Sequence, residues 1–196
     1  MSADAMSDAA AFEALLRTPH DEPLPAEHEL HSTVLRYAEE GGDLDATGED
    51  GDTLAAHASM RGLTPAVRLL AGLRADVHKP RKDGGHALHA TACHGHLDTA
   101  RLLLQLRADV DAQDDEGQTA CWCAAFLGHD RVVRLLISAR ASFIANDQGV
   151  TPLWVAAQEG HERVIVLLGR ARASIDSAVI DASVPISKAA MRMHEV

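Results

Sequence analysis

Apolar positions along this chain gather into short helical patches that glycine interrupts at a nearly constant interval. Gly62, Gly95, Gly128 and Gly160 stand 33, 33 and 32 residues apart. Nine residues before them come Thr53, His86, Thr119 and Thr151, and two residues earlier again Gly51, Gly84, Gly117 and Gly149. The best-preserved copy, Gly149 to Asp176, shows how each part folds. Thr151 is suited to cap a helix, its hydroxyl accepting a free N–H of the first turn. Pro152 follows at the first helical position, where a missing N–H costs nothing. The helix carries Leu153, Ala156 and Ala157 and stops at Gly160, a residue suited to a left-handed cap. A second helix, Glu162 to about Arg170, puts Val164, Ile165, Leu167 and Leu168 on one wide apolar face. Helices this short are marginal alone, so neighbouring copies must stack to bury those faces. Turn formers such as those from Asp111 to Gln118 close each copy.

The copies read GVTPLWVAAQEGHERVIVLLGRARASID, GGHALHATACHGHLDTARLLLQLRADVD and GQTACWCAAFLGHDRVVRLLISARASFI. In period and in the T-P-L-H-x-A-like opening they resemble the ankyrin repeat. The resemblance implies an all-α solenoid of stacked helix–turn–helix units with projecting β-turn loops. Residues 41–182 form the array. Residues 1–40 are expected to be a divergent N-terminal capping unit, with helices at Ser7–Arg17 and about Ala26–Glu39 around a proline-rich turn. Residues 183–196 are expected to be the first helix of a partial or capping fifth copy. That unfinished copy suggests a chain cut from a longer protein.

Departures from the family pattern carry their own physics. Arg74, Arg107, Arg140 and Arg172 stand where the family has a glycine after the second helix. A left-handed conformation there costs each about 1 kcal/mol, offset by about 0.3–1 kcal/mol for a cation at a helix C-terminus. His86 replaces the capping threonine, and Leu54, Ala87 and Ala120 replace the proline. These units are expected to be locally less stable than the one beginning at Thr151.

Composition narrows the function. Of 196 residues, 46% are hydrophobic but only 3% aromatic, so the core is aliphatic and alanine-rich. The net charge of −11 argues against nucleic acid and against an anionic membrane as partners. Cys93, Cys121 and Cys123 cannot all pair, which points to a reducing compartment. The first 23 residues are acidic where a secretory leader is basic, and no apolar run is long enough to span a bilayer. A cytoplasmic or nuclear protein, monomeric, is the expectation.

No catalytic constellation, P-loop or nucleotide fingerprint stands out, and no cofactor is expected. His96, His129 and His161 occupy the family's Gly-His position, and His89 its opening histidine; the resemblance makes all four structural. Cys121 and Cys123, two apart on a helix, point about 200° from one another, and Cys121 replaces a core leucine. A zinc site from Cys93, Cys123 and His94 falls short of the four ligands structural zinc takes. The acidic run from Asp109 to Glu116 lacks the calcium-loop order and reads as a solvated loop.

Stacked units create a long concave face of first helices and loops. By resemblance, partners touch the positions just before each helix-ending glycine: Met60 and Arg61, Cys93 and His94, Phe126 and Leu127, Gln158 and Glu159. The loop tips contribute Lys82, Asp115 and Glu116, with Glu49, Asp50, Asp52, Asp83 and Asp147 beside them. Phe126 and Leu127 place large apolar groups where a solvated helix carries charge. Trp122 and Trp154 stand at equivalent places in successive units. Either they pack between units, or they join Phe126 and Leu127 in an apolar anchor patch. The loop charge changes sign from Lys79, Arg81 and Lys82 to Asp114, Asp115 and Glu116, which would orient a partner. The expected function is a non-catalytic protein–protein interaction scaffold. The alternative is a regulatory or substrate-recruiting segment of a larger enzyme of kinase or ubiquitin ligase type.

Overall fold

The computed structural model describes residues 27–48 and 50–171. Among them run α1 (Glu27–Glu39), α2 (Leu54–Met60), α3 (Thr64–Gly72), α4 (Ala87–His94), α5 (Leu97–Gln105), α6 (Ala120–Phe126), α7 (Asp130–Ser138), α8 (Pro152–Glu159) and α9 (Glu162–Arg170). The helices form two rows. First helices α2, α4, α6 and α8 pack successively on one another, and second helices α1, α3, α5, α7 and α9 do the same behind them. The chain is therefore an all-α repeat solenoid. α1 joins the second-helix row, where it packs against α3. The helix anticipated at Ser7–Arg17, the turn after it, Arg172 and residues 183–196 lie outside the described residues.

Each local signal acts as the chemistry requires. The Oγ1 atoms of Thr53, Thr119 and Thr151 accept from the backbone N–H of Ala56, Trp122 and Trp154, each at 3.2 Å. His86 has no hydroxyl, and its own N–H instead donates to Nδ1 of His89 at 3.1 Å. That leaves Nε2 of His89 as the protonated nitrogen, which donates to the Gln118 carbonyl of the next unit at 3.0 Å. The core repeats with the sequence. Leu70, Leu103, Leu136 and Leu168 are fully buried at the same register, and the small Ala124, Ala125, Ala156 and Ala157 let first helices approach closely. Cys121 sits buried in the slot of the core leucine.

Histidine links consecutive units. Nε2 of His96, His129 and His161 donates to the carbonyls of Met60, Cys93 and Phe126 in the unit before, at 2.9, 2.9 and 2.8 Å. Each ring lies over the preceding unit's glycine. A Cβ on Gly95 would come within 2.7 Å of the His129 ring, and φ there is +72°. The close approach of the ring bars a side chain there, and the positive φ adds strain to any that replaced the glycine. The loops are also chained together. Each closes as a tight turn, such as Asp114 N–H to Gln118 O at 3.0 Å, and successive tips share backbone bonds. Asp115 donates to the Asp83 carbonyl at 3.0 Å and Asp147 to that of Glu116 at 3.1 Å.

Arg74, Arg107 and Arg140 hold the left-handed conformation, at φ of 67°, 71° and 66°. Arg107→Gly should therefore stabilise the array by about 1 kcal/mol, measured as a higher urea midpoint at unchanged slope. Arg107→Ala, which keeps the strain and loses the cation, should not stabilise it.

Two histidines make stability depend on pH. Burial, the largest influence on both His89 and His96, pushes their proton affinities below the ordinary histidine value. Above about pH 6.5 both are neutral folded or unfolded; below it the unfolded chain takes up protons first. Stability contributed by the neutral rings is thus lost as pH falls through that window. The urea midpoint should drop between about pH 7.5 and about pH 5.5, and less steeply in the His89→Asn protein.

Candidate functional site

At the end of α6 two apolar side chains face solvent: Phe126 is 39% exposed and Leu127 44%. Trp122, one turn earlier, stacks on Phe126 with ring centroids 5.4 Å apart and planes 23° from parallel. The half-buried indole donates through Nε1 to the Val150 carbonyl of the following loop at 3.0 Å. Trp122 thus packs between units and supports Phe126 from beneath. Trp154 is half-buried at the equivalent place on α8. Its indole N–H is buried without a hydrogen-bond partner among the described residues. By repeat register the counterpart of Val150 is Ser183, outside those residues.

Other anticipated positions divide. Gln158 is half-buried and Glu159 exposed at the end of α8, while Lys82, Asp115 and Glu116 are exposed on the loops. Cys93 is half-buried and His94 exposed at the end of α4. Met60 does not reach the surface. It is 7% exposed, its thioether gaining the benefit of burial, about 1.5–3 kcal/mol. Arg61 beside it is half-buried. Asp52, anticipated at a loop tip, is only 2% exposed.

The fate of Asp52 reveals a contact that the sequence reading missed. Nε of Arg81 lies 2.8 and 2.9 Å from its two carboxylate oxygens, and an Arg81 terminal nitrogen lies 3.3 Å from Asp83. Arg81 occupies the register of Asp114 and Asn146, whose side-chain oxygens cap their own loops. An arginine cannot accept those N–H groups and reaches to the preceding unit instead. Asp50, Asp52 and His57 place their potential ligand atoms within 4.8 Å of one another. Nε2 of His57, however, lies 3.1 Å from Asp50, and the guanidinium of Arg81 already balances Asp52. A metal cation would have to displace that charge.

Among the cysteines, Cys93 and Cys123 meet across neighbouring first helices, whereas His94 does not join them. Its Nδ1 bonds the Ala90 carbonyl at 2.9 Å and its ring stacks on His96, centroids 5.8 Å apart. The hydrogen bond from Cys123 holds the Cys93 thiol below the ordinary thiol value, and the same bond, then burial, pushes Cys123 up. Burial, then the negative charge of Asp111, pushes Cys121 up to about 12. Cys93 is therefore the more acidic and the more accessible thiol of the three.

No described helix is long and apolar enough to cross a membrane. A search of curated proteins found no match to the chain. The family model for ankyrin repeats in three copies matches residues 26–114 and again 105–178. Those segments together span most of the sequence and follow the two helical rows described above, so the chain belongs to the ankyrin repeat family.

Proposed function

We propose that this protein is a non-catalytic scaffold that binds a partner protein or peptide on the concave face lined by its first helices and loops. Ankyrin repeats are generally protein–protein interaction modules. Fold alone does not fix function, so the reading rests on one observation: the exposed Phe126–Leu127 pair. The same positions carry polar Gln158 and Glu159 on α8. Ile144 and Val166 are exposed as well, but singly, and scattered apolar residues are normal on a surface. Phe126 and Leu127 adjoin, and Trp122 stacks beneath Phe126, an aromatic anchor of the kind found at binding hot spots. The free thiols suit a reducing cytoplasmic or nuclear setting, and the scaffold acts as a monomer.

Selection of a displayed random-peptide library on the purified array tests this. Replacing Phe126 and Leu127 together by alanine should weaken the selected peptides about tenfold or more, equivalent to about 1.4 kcal/mol. The urea midpoint should fall only modestly, because Phe126 and Leu127 stand outside the buried leucine row. Failure to select any binder, or binders indifferent to the double substitution, would overturn the assignment.

A further inference from the structure

The arrangement of charge around Phe126 and Leu127 says what such a partner carries. Residues 109–129 and 141–161, which supply the loops and first helices of these two units, contain five and two acidic residues and no lysine or arginine. The arginines of the same units, five of them from Arg131 to Arg170, lie on α7, α9 and the turn after α7. The first-helix side is therefore acidic and the second-helix side basic.

A chain of hydrogen bonds connects the acidic loops to the apolar pair. Trp122 ties the patch to the loop of Asp147 through the Val150 carbonyl, and the Asp147 N–H bonds the Glu116 carbonyl. On the other side, His161, two residues after exposed Glu159, donates to the Phe126 carbonyl at 2.8 Å. Asp115, Glu116, Asp147 and Glu159 are all exposed. In the preceding unit Arg81 pairs with Asp52 and Asp83, and exposed Lys82 leaves that loop outside the acidic patch.

Resting on the reading above, we infer that the partner segment is cationic: an apolar side chain that covers Phe126 and Leu127, flanked by lysine or arginine that faces the loop carboxylates. Complementary charge of this kind selects the partner and speeds encounter, and it is screened over about 8 Å at physiological ionic strength.

Three short synthetic peptides separate the possibilities: one with a leucine–phenylalanine centre flanked by lysines, one with the same centre flanked by glutamates, and one with lysines around a serine centre. The first should bind, weaken as salt is raised, and outbind each of the others about tenfold. Asp115→Asn, Glu116→Gln and Asp147→Asn together should cost it about the same factor and flatten its salt dependence. These changes keep side-chain shape, and an unchanged urea midpoint verifies the fold. Equal binding of the lysine- and glutamate-flanked peptides, both lost with Phe126→Ala and Leu127→Ala, overturns the charge inference and leaves the groove standing. Equal binding of the two lysine peptides, indifferent to those alanines, is bulk attraction to an acidic protein and overturns both. Binding by none of the three overturns the inference, and the library selection then decides the groove by itself.

Discussion

No pair of helices among the described residues owns a core; each becomes buried only by leaning on the next. The leucines at 70, 103, 136 and 168 are sealed because second helices adjoin in a row, and the alanines of the first helices permit the matching contact in front. The histidine after each helix-ending glycine fixes the spacing. Its Nε2–H reaches a carbonyl of the preceding unit, and its ring takes the space that a Cβ on that unit's glycine would need. Glycine and histidine in neighbouring units are thus one device. The Gly-His pair reads as a dipeptide in the sequence, but in space it works one unit apart.

Much of this was legible from residue types at fixed spacing. Threonine caps, glycine stops, the leucine row and the left-handed arginines are local or periodic features, and local stereochemistry decides them. The loss of a capping threonine at His86 was legible, but its remedy was not. The bond from the His86 N–H to His89 depends on a ring orientation that the Gln118 carbonyl of another unit fixes. The Arg81–Asp52 contact was hidden for a similar reason. A long flexible side chain chose a partner 29 residues away, and nothing in the periodicity marks that choice.

The candidate surface shows the same division. Register anticipated Phe126 and Leu127 on the partner-facing side, and both are exposed. The same rule failed for Met60, whose apolar thioether is buried while its carbonyl serves His96. The tryptophans illustrate why type and register alone left alternatives open. Trp122 is at once a hydrogen-bonded strut to the next loop and the platform for Phe126, so contact between units and presentation of the patch are a single structural fact. A change that loosened the junction between α6 and the following loop would also disturb the exposed rings.

The backbone bonds between loop tips set a further property of this edge. Because Asp115 grips Asp83 and Asp147 grips Glu116, the tips cannot swing independently, and their pitch is that of the helices behind them, about 8–10 Å. Three residues of extended chain, at about 3.3 Å each, cover the same interval. The row of turns is in effect a ruler graduated in tripeptides and rigid before anything touches it, so little ordering entropy remains to be lost on contact.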